Sequence, residues 1–570
     1  MMLSAWRTRV RRCTSLAAKR AKMVPDDGKT VADFIRPRAA GSGPVPDVAM
    51  SPTLTFNADR DPIAVPETRS FFIETYGCQM NVSDSEIVEA VLINSGFKRA
   101  DSVTAADVVL INTCSIRDNA EEKVWSRLYE LRALRGRRRG TAVAVLGCMA
   151  ERLKERLLER DQLVNVVVGP DAYRDLPRLL SVARDGTSAV NVLLSLDETY
   201  ADIAPVRPAS NRVSAFVSIM RGCNNLCSYC IVPYTRGRER SRNADSIISE
   251  IQDLSREGFK EVTLLGQNVN SYNDVTGADR GTFTIKDFNL SNPGFSQKTK
   301  RASRMGIRFP ELLRRCAEVD PEIRIRFTSP HPKDFPLELL QVVAEYPNVC
   351  KALHIPAQSG STSVLERMKR DYSREAYDDL IATVRDKIPG CSLTSDFISG
   401  FCGETEEDHH MTLDLIRKTG YTHAFMFAYS QREKTHAHQY LLDDVPDDVK
   451  SRRLREVTET HHDLARSNAM RNVGSTQVVL VEGDSKRSSE FLAGRSDSNV
   501  KVVFPKIELH GDCDVSKSVP RPGEYVVVNI DSATQRSMVG TPVRRTSLQA
   551  VGNDLSMASQ FQLNFRPILG

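Results

Sequence analysis

Three cysteines, Cys223, Cys227 and Cys230, fall within the polar stretch Arg221-Gly222-Cys223-Asn224-Asn225-Leu226-Cys227-Ser228-Tyr229-Cys230. Three residues separate the first two and two residues the last two. Thiolates are soft ligands that select zinc, copper(I) or iron–sulfur clusters over hard cations. A tetrahedral zinc site wants a fourth Cys or His close by, and none follows before His331. The ferredoxin run, with two-residue gaps and a Cys-Pro behind it, is absent. Three thiolates suit three corners of a four-iron cluster and leave the fourth iron open to another ligand. The alternative is three packing cysteines, since free Cys is a common core residue. Arg221, Gly222, Asn224, Asn225 and Ser228 argue against it, because a polar loop hides thiols poorly.

Three more cysteines occupy equivalent places further upstream. Strands are expected at 71–76, 108–112, 142–147 and 164–168, alternating with helices at 84–95, 119 to about 135, and 151–160. Such alternation argues for a parallel sheet covered on both faces. Cys78, Cys114 and Cys148 each lie just past the carboxyl end of an expected strand and before a helix. In parallel units those loops open on one edge of the sheet. Helix amino-termini there favour the thiolate form that a metal needs. Three residues far apart in sequence therefore converge as a second set; small buried residues at tight turns are the bland alternative.

The elements that must position these residues follow in chain order. Residues 1–24 carry seven basic side chains and no acid, with Leu3, Trp6, Val10, Cys13 and Leu16 at helical spacing. That is the composition of a mitochondrial transit peptide, or of a basic arm for nucleic acid or nuclear import. Residues 25–68 read as a disordered linker. From about 215 to 430, expected strands at 261–265, 323–327, 353–356, 392–398 and 424–428 each end in polar or Gly-rich residues. That pattern fits a barrel with a working carboxyl-end rim. An amphipathic helix is expected at 447–472. Short strands at 476–482, 490–495, 499–504, 524–530 and 537–540 make a small five-stranded β-barrel.

A chain of 570 residues is too long for one core, so two to four domains are expected. The net charge of +5 permits an anionic partner without demanding one. No apolar run approaches membrane-spanning length, and no membrane partner is expected. Twelve cysteines in so long a chain do not make a disulfide scaffold.

The stretch GCNNLCSYCIVPYTRGRERSR resembles the cluster loop of radical S-adenosylmethionine enzymes, and more narrowly that of the MiaB-type tRNA methylthiotransferases. The stretches ETYGCQMNVSDSE, INTCSIRDNAEEK and VLGCMAER resemble the amino-terminal domain of that family, which carries an auxiliary four-iron cluster. An insert at 273–308, the segment Tyr429-Ser430-Gln431-Arg432-Glu433-Lys434-Thr435 without a proline-rich ending, and LTSDFISGFCGETEEDHH are similar to the mitochondrial branch, the cyclin-dependent kinase five regulatory subunit-associated protein one type. The resemblance spans residues 70 to about 550.

It implies an α/β fold: an amino-terminal parallel α/β sheet domain (69–206), a partial (βα)6 radical-SAM barrel (207–440, with 273–308 as a flexible insert), a linker helix (441–472), a TRAM β-barrel (473–547) and a tail (548–570). It implies two [4Fe-4S] clusters, held by Cys223, Cys227 and Cys230 and by Cys78, Cys114 and Cys148, together with S-adenosylmethionine. Tyr229 takes the usual aromatic position; Gly266 and Gln267 would lie beside the methionine moiety, Gln358 and Ser359 near the ribose, and Asp396 to Phe401 beside the adenine. Lys501, Lys506, Arg521, Arg536, Arg544 and Arg545 are the expected RNA contacts of the TRAM module. The implied activity is methylthiolation of C2 of N6-isopentenyladenosine in mitochondrial tRNA, with an electron donor and the iron–sulfur assembly machinery as further partners. The alternatives are the threonylcarbamoyladenosine or ribosomal-protein methylthiotransferases and, in another class, a non-catalytic protein that regulates a kinase.

Overall fold

The computed structural model describes residues 69–553 apart from 116–117, 138–140, 155, 160–162, 185–187, 208–211, 277–294, 296–305 and 513–515. The expected transit segment, the linker up to residue 68 and the tail after 553 lie outside the described residues.

The run Val108–Thr113 is buried along its whole length. A strand that is apolar on both faces belongs inside a parallel sheet with helices on each side. Among the described residues the sheet has six strands: β1 (Ser70–Tyr76), β2 (Lys98–Arg99), β3 (Val108–Thr113), β4 (Ala142–Gly147), β5 (Val166–Val168) and β6 (Ala189–Asn191). They lie in the order β2-β1-β3-β4-β5-β6, every pair parallel. Alternate residues feed two cores. Leu110 and Leu146 pack with Val88 and Leu92 of the helix Gln79–Asn94, while Val109, Ile111 and Val145 pack with Val124 and Leu128 of the helix Asp118–Arg137. The register sets Tyr76 opposite Thr113 and Thr113 opposite Gly147, so the carboxyl ends of three neighbouring strands are level.

Local details depart from expectation. The first helix starts at Gln79 rather than 84, because Met80, Asn81 and Ser83 are buried by tertiary contact and carry no amphipathic signal. The helix expected at 151–160 is broken. Cys148–Leu153 ends at Lys154, whose φ of 50° leaves helical geometry, and Arg156–Glu159 restarts it. The two-residue β2 and three-residue β6 are too short to show a period.

Next come six strands in two parallel halves: Ser214–Ser218, Glu261–Leu265 and Arg324–Phe327, then Ala352–His354, Ser392–Ser399 and His423–Ala428. A single bridge between Ile325 and Val349 joins the halves. Among the described residues nothing pairs the first strand with the last, so the barrel is partial. Helices such as Ala244–Arg256 and Phe309–Val319 cover its outside through Ile247, Ile251, Leu312 and Leu313. The base of the expected insert is closed by Asn273–Asp274 pairing antiparallel with Ile307–Arg308. Phe295 pairs with Tyr372, and the rest of the insert lies outside the described residues.

The helix Asp447–Met470 leads to a closed barrel of five strands, Thr476–Ser485, Ser488–Arg495, Lys501–Pro505, Tyr525–Ala533 and Ser537–Thr546. It docks under the partial barrel. Buried Arg324 donates to the Val478 and Arg495 carbonyls, Arg326 to those of Ser496 and Asp497, and the Tyr525 hydroxyl to the Lys260 and Glu322 carbonyls. Among the described residues no helix is long and apolar enough to cross a membrane.

Candidate functional site

The three closely spaced cysteines ride on an excursion whose base is a two-residue antiparallel pairing, Met220 with Ser241 and Arg221 with Arg240. Gly222 turns the chain at φ 75°, and a Cβ there would meet the Arg238 carbonyl oxygen at 2.0 Å. Only glycine fits so close a return of the backbone. The Gly222 amide donates to Gln267 Oε1 at 2.6 Å, the Cys223 amide to the Gly237 carbonyl at 3.2 Å and the Cys230 amide to the Cys227 carbonyl at 3.0 Å. Donors reach the sulfurs as well: the Asn225 amide lies 3.4 Å from Cys223 Sγ, and Arg370 Nη1 lies 3.4 Å from Cys227 Sγ. His331 Nε2 is 4.0 Å from the same Cys227 sulfur.

The strand-end set forms where register predicts. Cys78 caps the helix Gln79–Asn94, its amide donating to Asn81 Oδ1 at 3.3 Å. Asn81 Nδ2 in turn donates to Asn112 Oδ1 and to the Thr113 carbonyl, pinning the turn after β1 to the end of β3. The Thr113 hydroxyl donates to the Leu146 carbonyl and ties β3 to β4. Gly147, at φ 87°, passes so close that a Cβ would sit 2.6 Å from Asn112 Oδ1. A hydrogen bond to Cys114 is the main cause that pulls the Cys78 thiol down to about 6, burial opposing and the Arg236 charge assisting. Burial pushes Cys148 up despite Arg236. Burial and the neighbouring sulfurs likewise raise Cys223, and Cys230 to about 12.

Among the described residues no three His, Cys, Asp or Glu side chains close on one point as a single bound ion requires. A four-iron cube spreads its ligands over corners, so the test of fit is the donor chemistry. Each set offers three thiols and N–H donors directed at sulfur, the pattern that stabilises iron–sulfur ligation. Arg236, whose Nε reaches Cys148, has its Nη1 buried without a hydrogen-bond partner. A buried donor is costly to leave unpaired. Both sets fit a cluster with three protein ligands.

The two sets are linked. Arg236, on the returning limb of the excursion, places Nε 3.2 Å from Cys148 Sγ and Nη2 2.7 Å from Asp84 of the first helix. Arg221 also reaches Asp84, at 2.9 Å, and lies 4.6 Å over the Tyr200 ring. Arg240 makes paired contacts to Asp171 at 2.9 and 3.1 Å. Arg236, Arg240 and Arg370 escaped the sequence reading, which took Arg221 only as a mark of a polar loop and His331 only as a distant histidine. The one available signal was the arginine density of TRGRERSR beside the cysteines.

The expected cofactor-pocket residues divide. Tyr229 packs edge-on against Phe401 and its hydroxyl lies 3.5 Å from Arg370 Nη1; Gly266 is buried against Met220, next to Gln267. Gln358, at φ 69°, is held in a left-handed conformation by backbone bonds to Asp396 and Ile398 at 2.9 Å each. Strain of this kind clusters at ligand sites. Asp396 Oδ2 lies 3.2 Å from His354 Nε2 on the half-exposed face of its strand. Ser359 and Phe401 are both buried. The Ser359 hydroxyl faces Thr412 and accepts from the Ser361 amide, and Phe401 is fully buried against Tyr429.

The six basic residues expected to meet RNA divide too. Lys506 pairs with Asp484 at 2.7 Å, Arg544 with Asp512, and Arg545 lies 3.7 Å from Glu524. Arg521 and Arg536 are exposed and Lys501 half-buried.

The Uncharacterized protein family UPF0004 matches residues 70–169, the Radical SAM superfamily residues 217–416 and the TRAM domain residues 470–543. The chain is 52% identical over 502 residues to the mitochondrial tRNA methylthiotransferase CDK5RAP1 of Homo sapiens, covering 84% of this chain and 82% of that one. It is 47% identical to a CDK5RAP1-like protein of Caenorhabditis elegans, covering 94% and 96%. It is also 47% identical to the tRNA-2-methylthio-N(6)-dimethylallyladenosine synthase of Chloroherpeton thalassium, covering 82% and 95%.

Proposed function

The chain belongs to the radical S-adenosylmethionine tRNA methylthiotransferases, and we propose that it methylthiolates C2 of N6-isopentenyladenosine, beside the anticodon, in mitochondrial tRNA. What carries this reading is the presence of two three-cysteine sets on separate domains, joined through Arg236. Cys223, Cys227 and Cys230 would hold the cluster that engages S-adenosylmethionine, and Cys78, Cys114 and Cys148 a second cluster. When bound, these groups supply an electron, the radical chemistry that removes hydrogen from an unactivated C–H bond, and the sulfur and methyl group.

The chain's own residues supply the rest. The Met220–Ser241 pairing and the Gln267–Gly222 bond fix the cysteine excursion on the barrel rim. Arg370, buried, directs a positive charge at Cys227 and closes the site behind Tyr229. Positive charge beside sulfur favours the anionic ligand. On the last strand, Phe425 and Phe427 are 43% and 41% exposed on the same face as Asp396, an apolar surface for a base that carries a hydrocarbon substituent. The carboxyl-terminal barrel would grip the tRNA backbone.

In this reading 69–206 is the auxiliary-cluster domain, 207–440 the radical barrel, 441–472 the linker helix and 473–547 the tRNA-binding module. Residues 1–24 deliver the chain to the mitochondrial matrix, where an electron donor and the iron–sulfur assembly machinery serve it. Fusing the first ~70 residues to a fluorescent reporter tests the delivery, and a diffuse or nuclear signal contradicts it. The activity is tested by nucleoside mass spectrometry of mitochondrial tRNA from cells lacking the protein. The methylthio nucleoside should vanish while isopentenyladenosine accumulates; an unchanged methylthio level overturns the proposal.

A further inference from the structure

We infer that Arg236 is a positioning residue that belongs to one cysteine set by sequence and to the other by contact, fixing their separation and tuning the cluster held by Cys78, Cys114 and Cys148. The inference rests on the two-cluster reading above. Six residues after Cys230, Arg236 has left the loop of the first set and reaches side chains of the amino-terminal domain. It is 3% exposed, and its Nε–H donates to Cys148 Sγ at 3.2 Å. Nη2 pairs at 2.7 Å with Asp84, which is wholly buried and also faces Arg221 at 2.9 Å. Two buried guanidinium groups thus share one fully buried carboxylate. Glu198, 3.7 Å from Arg221, serves that arginine rather than Arg236. Buried charges are tolerated only when compensated. The remaining compensation for Arg236 is negative charge on the sulfur side, where its Nε–H already points. A cluster of overall negative charge, held by three thiolates, would supply it.

Two consequences follow. An N–H and a positive charge at a ligating sulfur stabilise the more negative, reduced state and raise the reduction potential. And because the same side chain is rooted in the excursion that carries Cys223, Cys227 and Cys230, movement of one set relative to the other breaks the contact. Arg240 offers the internal control. It docks the same limb onto the same domain through Asp171, and its Nη1 and Nη2 also reach backbone carbonyls of Arg236, Ser195 and Asp197 rather than a sulfur.

The experiment compares Arg236→Gln, Arg236→Lys and Arg240→Gln in the full reconstituted chain. Each is also placed in a Cys223/Cys227/Cys230→Ala background, so that only the other cluster contributes to the paramagnetic resonance signal. Arg236→Gln should require a more negative applied potential for half-reduction and lose iron to a chelator ~10–100-fold faster, the usual effect of removing an outer partner of a metal ligand. Arg236→Lys, which restores the charge without the fixed fork, should recover part of the potential. Arg240→Gln should keep the wild-type potential even if the limb loosens. A wild-type potential and iron loss in Arg236→Gln, or an equal change in Arg240→Gln, overturns the inference. Absence of any second cluster in the parent Cys→Ala chain would instead overturn the two-cluster reading beneath it.

Discussion

Replacing Asp84 with Ala removes the carboxylate that two buried arginines share, and the cost follows from the geometry. Arg236 and Arg221 lie 2.7 and 2.9 Å from it, and all three side chains are at most 4% exposed. Breaking a buried ion pair by deleting one partner costs about 3–5 kcal/mol, since a charge is left without compensation. Arg221 keeps Glu198 at 3.7 Å and the Tyr200 face at 4.6 Å, so Arg236 bears most of the loss. At about 1.4 kcal/mol per factor of ten, the contact between the first helix and the cysteine excursion should open ~100- to 4,000-fold more often. Amide hydrogen exchange measures such local opening. Peptides from 79–94 and 220–241 should exchange faster by that factor, while the carboxyl-terminal barrel is unchanged. Burial acts to raise the Asp84 carboxyl, and the Arg236 and Arg221 charges override it and hold it below 3.8. A depressed carboxylate contributes its stability above the unfolded value and loses it as pH falls through the folded one, so at neutral pH the full effect is read. Adding Arg236→Ala to Asp84→Ala should restore part of the protection, because the stranded charge is gone. Exchange of both peptides within threefold of wild type in Asp84→Ala would refute the reasoning.

Three further outcomes are expected. Burial, with His423 and His462 nearby, lowers His461 from 6.5 to about 4, so it stays neutral in the fold while the unfolded chain takes a proton. Stability is then full above pH 6.5 and falls by about 1.4 kcal/mol per pH unit toward pH 4; the urea midpoint should drop between pH 7 and 5 in wild type and much less in His461→Gln. Lys501→Ala, Arg521→Ala and Arg536→Ala should each lower the salt slope of tRNA binding by about 0.7–0.9, while Lys506→Ala and Arg544→Ala, already paired with acids, change it less. Gly222→Ala forces a Cβ to 2.0 Å from the Arg238 oxygen, and reconstituted iron should fall by about one cluster, measured by colorimetric assay; a full complement contradicts the role of that turn.

The fold class and both cysteine sets were legible for physical reasons. Parallel strands such as 108–113 write themselves as continuous apolar runs, and a cysteine right after each run marks the sheet edge where ligands collect. What escaped depends on distance. Nothing local ties Arg236 to Cys148, 88 residues away, or His331 to Cys227, 104 away. Ser359 and Phe401 are read from motif position, and the contacts of their side chains with Thr412 and Tyr429 are a choice made by packing that a motif does not record. The helix starts earlier than the spacing predicts because burial of Asn81 comes from the polar network around the cysteines, not from hydrophobic spacing.

The central claim is that the two sets divide the chemistry, and one paired measurement addresses it. Full-length chains carrying Cys78/Cys114/Cys148→Ala or Cys223/Cys227/Cys230→Ala are reconstituted with iron and sulfide. Mössbauer spectra count the clusters, and chromatography scores 5′-deoxyadenosine and the methylthio nucleoside formed on isopentenylated tRNA. The first variant should keep one cluster and release 5′-deoxyadenosine without methylthio product; the second should keep one cluster and release none. A Cys78/Cys114/Cys148→Ala chain that retains the full iron complement and still methylthiolates tRNA would contradict the account.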